Sequence, residues 1–198
     1  NTTTSEQQKL DHNPPYAGLT PDLILKAIDQ AGFPTSGSLL ALNSYENRVY
    51  QVGLADGRFL VAKFYRPERW SDQAIEEEHD FALELAAEEI PVIAPLPDTA
   101  GHTLRQYQNY RFALYPRHGG RAPELEDPEH LRMLGRMLGR IHLIVSTRLF
   151  QYRPTLKIQT FANDAVDFLL QREFVPAELV HNYRLAAETV IKLVENAF

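Results

Sequence analysis

Apolar residues near the start of the chain first follow helical and then strand-like spacing. A short helix is predicted after Thr20, which can cap it, with Pro21 in its first turn. Apolar runs typical of β-strands follow at residues 39–42, 49–54 and 59–65. The pair Asp56-Gly57 between the last two runs predicts a tight hairpin, so these three strands should form an antiparallel meander.

A long helix and two further strands are predicted after the meander. Ser71 can cap a helix that runs to about Glu89, where Pro91 stops it. Strand patterns return at residues 103–107 and 110–115. The order strand, strand, strand, helix, strand, strand predicts an α+β fold with a five-stranded antiparallel sheet.

After residue 115 the pattern becomes helical. A linker comes first, and it is marked by Pro116, Gly119, Gly120 and Pro123. Helices are predicted from residue 128 to 145, near 161–171 and near 176–197. We therefore divide the chain into a flexible leader (residues 1–20), an N-lobe (21–115), a hinge or linker (116–123) and the start of a mainly helical C-lobe (124–198).

The composition argues against several classes of function. A formal net charge of -6 argues against nucleic acid as a partner, because binding its phosphates requires clustered Lys and Arg. The chain has no cysteine, which fits a reducing cytoplasm, and no apolar run near the roughly 20 residues of a membrane helix. We therefore expect a cytoplasmic protein that binds neither nucleic acid nor membranes. We also expect a monomer.

The most informative residue is Lys63, which lies in an otherwise apolar run at residues 59–65. Glu78 falls within the apolar stripe of the predicted long helix, whereas Glu76 and Glu77 should point away. A buried carboxylate is costly unless a cation meets it, so we predict an ion pair between Lys63 and Glu78. Such a pair holds ATP phosphates in kinases. The alternatives are a lysine whose amine reaches water at a sheet edge and a glutamate within a solvated acidic run.

The predicted turn between the first two strands contains no glycine. It lies within residues 42–50, where kinases carry a glycine-rich turn over the phosphates. Phosphate binding there would depend on the Ser44 hydroxyl and on backbone N–H groups, since small polar turns can offer several donors to an anion. An ordinary polar hairpin is the alternative interpretation of the same residues.

Four stretches of the sequence together resemble the stress response kinase A family. They are residues 43–51, 61–70, 77–79 and 138–142, and the resemblance extends over nearly all of residues 21–198. The family consists of bacterial Ser/Thr protein kinases with the choline kinase and aminoglycoside phosphotransferase type of fold. The resemblance implies a protein-kinase-like fold, a transferase that uses ATP and Mg²⁺, a protein substrate with a Ser or Thr hydroxyl, and a role in the stress response.

The resemblance also implies that the N-lobe (21–115) binds ATP, and it assigns five residues of this sequence to that role. Ser44 would contact ATP in the phosphate loop, Lys63 would pair with the phosphates and Glu78 would orient the lysine. Beside adenine, Tyr115 would offer its carbonyl and Arg117 its amide, because the proline between them has no N–H to donate.

The sequence departs from the family pattern in its catalytic residues. Family members carry a His-x-Asp-x-x-x-x-Asn loop and a further Asp for magnesium, but none of the seven histidines here has Asp two positions later. We therefore assign no catalytic residue and no metal ligand within residues 1–198, and expect the metal ligands beyond residue 198. The chain by itself is expected to bind nucleotide weakly and not to turn over.

Other polar patterns have simpler interpretations. His142 lies on the apolar face of a predicted helix and is interpreted as a hydrogen-bonded core residue. The arginines at positions 132, 136 and 140 and the aspartates at 164 and 167 are interpreted as solvated.

Three functions follow as hypotheses. The first is a Ser/Thr protein kinase, and the second is a small-molecule kinase of the choline or aminoglycoside type, because the fold does not determine the acceptor. The third is a non-catalytic module that binds a nucleotide or a partner.

Overall fold

The computed structural model describes residues 14–197, and the chain divides into two compact units, Asn1–Arg153 and Pro154–Phe198. The first unit contains α1 (Pro21–Gln30), β1 (Thr35–Leu42), β2 (Arg48–Leu54), β3 (Phe59–Phe64), α2 (Asp72–Ala87), β4 (Arg105–Tyr107), β5 (Tyr110–Pro116) and α3 (Pro128–Val145). The second contains a π-helical turn (Gln159–Asn163), α4 (Asp164–Gln171), a 3₁₀ turn (Ala177–Leu179) and α5 (Val180–Glu195).

The five strands form one antiparallel sheet in the order β1-β2-β3-β5-β4. This arrangement confirms the predicted α+β fold with a five-stranded antiparallel sheet. The central strand is β3, in which Lys63 lies between Val49 of β2 and Ala113 of β5. Because side chains alternate along a strand, β3 presents Lys63 on one face of the sheet and its fully buried neighbours on the other.

The main apolar core lies on the face of the sheet opposite Lys63. Phe64 of β3 stacks on Phe112 of β5 with ring centroids 5.2 Å apart. Ile24 and Ile28 of α1 are fully buried in the same cluster, so α1 packs against this face. The helix begins as predicted, since the Thr20 hydroxyl accepts a hydrogen bond from the third residue of the helix.

The long helix α2 also begins where the sequence predicts. The Ser71 side chain accepts a hydrogen bond from the Ala74 N–H at 3.1 Å. Ala74 and Ile75 are buried, and α2 ends two residues before the left-handed Glu89 (φ 57°). This helix carries Glu78 in the first unit.

Residues 14–20 correct the prediction of a flexible leader over residues 1–20. The Tyr16 ring stacks on Tyr110 at 6.5 Å, and its hydroxyl donates to the Glu46 carbonyl at 3.0 Å. Leu19 is buried in the main core. The prediction was wrong here because two anchoring side chains order a stretch too short to show periodicity; residues 1–13 lie outside the described part of the chain.

The structure also corrects the prediction for His142. We expected a hydrogen-bonded core residue, but its side chain is exposed on α3. Leu131 and Leu138, from the same predicted apolar stripe, are 50% and 55% exposed. The sequence correctly gives the helical spacing of these apolar residues, but the spacing does not predict whether another part of the protein covers them.

The predicted hinge at residues 116–123 has no regular secondary structure after Pro116. The division between the two compact units lies further along the chain, after Arg153. The assignment of an N-lobe, a hinge and a C-lobe therefore stays a prediction. None of the helices within residues 14–197 is both long enough and apolar enough to cross a membrane.

Candidate nucleotide-binding site

Lys63 and Glu78 meet on the face of the sheet covered by α2. The Lys63 Nζ atom donates to Glu78 Oε1 at 3.0 Å, and the two side chains are 22% and 39% exposed. The ammonium also lies 4.8 Å from the centre of the Tyr65 ring. The predicted contact between the strand lysine and the helix glutamate is therefore present.

Both residues of the ion pair line a cavity of about 370 Å³. Its walls are mostly apolar and come from the sheet, from α2 and from the segments around residues 93–95 and 115–118. The lining side chains are Val49, Val61, Lys63, Glu78, His79, Ala82, Ile93, Pro95, Tyr115, Pro116 and His118. A largely apolar cavity with a few polar groups is typical of a site for a small molecule, whose orientation the polar groups fix.

The two residues predicted to contact adenine, Tyr115 and Arg117, lie at the end of β5 and directly after it. Tyr115 pairs with Val61 of β3, and both residues line the cavity. Arg117 is exposed and is not among the lining residues. The roles assigned to the Tyr115 carbonyl and the Arg117 amide stay predictions.

The glycine-free loop between β1 and β2 is held by its own side chains. The Ser44 hydroxyl donates to the Asn47 carbonyl at 2.7 Å, and the Asn47 side chain accepts from the Arg66 N–H at 3.2 Å. Glu46 accepts from the Arg69 side chain and from the indole N–H of Trp70, each at 2.9 Å. Ser44 itself is exposed and does not line the cavity, so its contact with ATP stays a prediction.

Sequence reasoning missed a buried hydrogen-bond network behind the ion pair. The His79 side chain is 1% exposed, and its ring nitrogens lie 2.6 Å from the Tyr65 hydroxyl and 2.8 Å from the Thr103 hydroxyl. The Tyr115 hydroxyl lies 3.2 Å from that of Tyr65. Burial lowers the pKa of His79 to about 4, so the imidazole is neutral at pH 7.

Glu77 corrects another sequence prediction. We expected it to point away from the protein, but it is 9% exposed. Its carboxylate accepts hydrogen bonds from the backbone N–H groups of Gln151, Tyr152 and Arg153 at 2.5, 3.0 and 2.8 Å. Although desolvation raises the pKa of Glu77, these three donors together hold it below its usual range.

Replacing Glu77 with glutamine is expected to loosen residues 151–153. A neutral amide oxygen accepts weaker hydrogen bonds than a carboxylate, and the amide nitrogen cannot accept any. Hydrogen exchange at the backbone amides of residues 151–153 should become on the order of tenfold faster. The exposed neighbour Glu76 provides the control, since Glu76→Gln should leave these amides unchanged; equal exchange in Glu77→Gln and the parent would contradict the anchoring role.

The residues present fit a nucleotide better than they fit a metal ion. The ammonium of Lys63 has N–H donors beyond the one directed at Glu78, and the adjoining cavity has apolar walls. Within residues 14–197, no three His, Cys, Asp or Glu side chains come close enough together to hold a metal. No residue of the described chain is therefore assigned to a metal.

The fold and the lysine–glutamate pair are those of a kinase-like phosphotransferase. The family model described as phosphotransferase enzyme family matches residues 38–190, and the chain belongs to this family. At 39% identity over 179 residues, the chain is similar to stress response kinase A of Escherichia coli (strain K12). It is equally similar to the "Serine/threonine protein kinase RdoA" of Salmonella typhimurium (strain LT2). These matches confirm the resemblance to stress response kinase A.

Each match covers 90% of this chain but 54% of the relative. The chain therefore spans about half the length of the curated relatives it matches. Two solved structures share the fold, each with a TM-score of 0.58. One is the amicoumacin kinase hAmiN in complex with AMP-PNP, Ca²⁺ and Ami, at 21% identity, covering 82% of this chain and 53% of that one. The other is a microcompartment-associated aminopropanol kinase, at 18% identity, with coverages of 77% and 55%.

Proposed function

We propose that this chain is the ATP-binding part of a phosphotransferase that acts on Ser or Thr hydroxyl groups of proteins in a stress response. The contact between Lys63 and Glu78 beside the apolar cavity is the observation that carries the proposal. A cation held by a carboxylate on a neighbouring helix is the arrangement with which kinases position ATP phosphates.

In this proposal the cavity receives adenine and the ammonium receives the phosphates. Glu78 holds Lys63 by one oxygen, and the other N–H groups of the ammonium bind phosphate oxygens in charge-assisted hydrogen bonds. Ser44 contacts the phosphates from the loop, and the Tyr115 carbonyl and Arg117 amide bind the adenine edge. Mg²⁺ is the proposed metal of the bound ATP, with no ligand assigned within this chain.

The protein acceptor is supported by the name of a relative at 39% identity, "Serine/threonine protein kinase RdoA". A small-molecule acceptor is the second candidate, because the two solved structures with the same fold are named as kinases of amicoumacin and of aminopropanol.

An acceptor assay separates these functions. The product of the complete gene is incubated with labelled ATP, Mg²⁺ and either generic protein substrates, choline or aminoglycosides. We expect label on Ser or Thr of protein, and none when Lys63 is replaced by methionine. Label on small molecules alone would contradict the protein-kinase proposal, whereas ATP binding without any transfer would favour a non-catalytic module.

A further inference from the structure

Glu78 has a second cationic partner besides Lys63. The Nη1 atom of Arg153 donates to Glu78 Oε2 at 3.0 Å, while Lys63 uses Oε1. The two oxygens of one carboxylate are thus bound by one cation from β3 and by another from the last residue of the first unit. This contact links the proposed phosphate-binding lysine to residues that follow α3.

The guanidinium of Arg153 also connects to the loop between β1 and β2. It lies 4.5 Å from the centre of the Trp70 ring, within the range of a cation–π contact. The indole N–H of Trp70 donates to Glu46 Oε1 at 2.9 Å. A continuous series of contacts therefore runs from Lys63 through Glu78, Arg153 and Trp70 to Glu46.

Arg153 is fixed in this position by the segment that carries it. Its backbone N–H donates to Glu77, and the preceding Arg148 forms an ion pair with Glu84, further along α2. The rings of Phe150 and Phe81 meet edge to face with centroids 5.3 Å apart. The Arg153 side chain is 32% exposed, and contacts hold both its backbone N–H and its guanidinium, unlike those of an isolated surface arginine.

We propose that Arg153 is a positioning residue for the nucleotide site; this inference rests on the proposed ATP-binding function. By binding the second oxygen of Glu78, Arg153 fixes the carboxylate that orients Lys63, and through Trp70 it holds the loop that carries Glu46. Lysine cannot replace it, because the planar guanidinium stacks on the indole while donating to the carboxylate.

Titration of the product of the complete gene with a fluorescent ATP analogue tests the proposal. Arg153→Gln should weaken binding about tenfold, which is within the usual range of coupling between contacting residues. Arg58→Gln is the matched control, because it removes an arginine that pairs with Asp56 in the β2–β3 hairpin and contacts neither Glu78 nor Trp70, and it should change binding by less than about twofold. In a Lys63→Met background, Arg153→Gln should cause no further loss, since the group that it positions is gone.

The emission of Trp70 in the 198-residue chain provides an independent readout, because Trp70 is the single tryptophan of residues 1–198. Arg153→Gln should change this emission in the absence of nucleotide, whereas Arg58→Gln should not. If Arg153→Gln does not fold, Arg153→Lys takes its place and should still bind the analogue several-fold more weakly than the parent.

The outcomes separate this inference from the proposed function. If Lys63→Met weakens binding but the folded Arg153 variant binds like the parent, the positioning role is overturned while ATP binding stands. An equal loss from Arg153→Gln with and without Lys63 would also overturn it, because the arginine would then act independently of the lysine. If the parent does not bind the analogue, or Lys63→Met binds it equally well, the proposed function fails and the inference fails with it.

Discussion

Replacing Lys63 with methionine is expected to weaken ATP binding on the order of 10- to 100-fold, the range for loss of hydrogen bonds to charged groups. Methionine keeps the apolar stem that packs in β3 but removes the ammonium beside the cavity. The fold should be retained, because Glu78 keeps Arg153 as a partner and is not left without a cation. Equilibrium titration with a fluorescent ATP analogue measures the effect.

Lys26→Met is the matched control for this experiment. Lys26 is an exposed lysine on α1 that pairs with Asp22 one helical turn away, at 2.8 Å. Its replacement makes the same chemical change on the other side of the sheet and should leave the affinity unchanged. Parent-like affinity in Lys63→Met would show that the ammonium does not bind phosphate, and the proposed function would lose its main support.

The sequence was sufficient to predict the sheet, α2 and the ion pair because their signals are local. The hairpin between β2 and β3 depends on Asp56-Gly57, and Gly57 has the positive φ (84°) that such a turn requires. Lys63 and Glu78 are only 15 residues apart, on adjacent elements whose apolar faces are readable from their periodicity. The pair is predictable without a chemical motif, because a charged side chain among apolar residues needs a partner of opposite charge.

The missed contacts depend on partners that periodicity cannot reveal. Glu77 binds backbone N–H groups about 75 residues further along the chain, and backbone donors have no sequence signature. Arg153 lies in the same segment, outside any helix or strand, so nothing in its neighbourhood predicts a contact with Glu78. The stripe on α3 was misleading for a related reason, since a helix's spacing gives the direction of its apolar face but not the surface that covers it.

His79 was missed even though it follows Glu78 directly. Three consecutive residues of α2 have different surroundings: Glu77 accepts backbone donors, Glu78 faces Lys63 and His79 enters the core beside Tyr65. A helical wheel assigns each position an angle, but it does not predict that two hydroxyl groups from other parts of the chain form hydrogen bonds with the imidazole. The available signal was Tyr65, which directly follows β3, because a buried tyrosine usually needs a hydrogen-bond partner.

Burial of neutral His79 is expected to make the stability of the protein fall in mildly acidic solution. Burial lowers its pKa in the folded state to about 4, with smaller lowering effects of Lys63 and Arg105 and an opposing effect of Glu78. The unfolded chain, with a pKa near 6.5, therefore binds more protons between these values. The contribution of His79 to stability is fully present above about pH 6.5. It falls as the pH decreases from 6.5 and stops changing near pH 4. In total, the free energy of unfolding decreases by about 3 kcal/mol.

The measurement compares urea unfolding of the parent and His79→Gln from pH 7 to pH 4.5. Glutamine can donate to one hydroxyl and accept from the other but does not titrate in this range, so its deficit relative to the parent should shrink steadily as the pH falls. His142→Gln replaces an exposed histidine and should give a curve parallel to that of the parent. Glu77 also contributes to the pH dependence, but its lowered pKa means that its contribution to stability is lost at more acidic pH. This contribution is the same in the parent, His79→Gln and His142→Gln, so it does not affect the comparison. Parallel curves for the parent and His79→Gln would contradict the prediction. They would mean that the imidazole is protonated as easily in the folded protein as in the unfolded chain, whereas its burial between Tyr65 and Thr103 should disfavour the charged form.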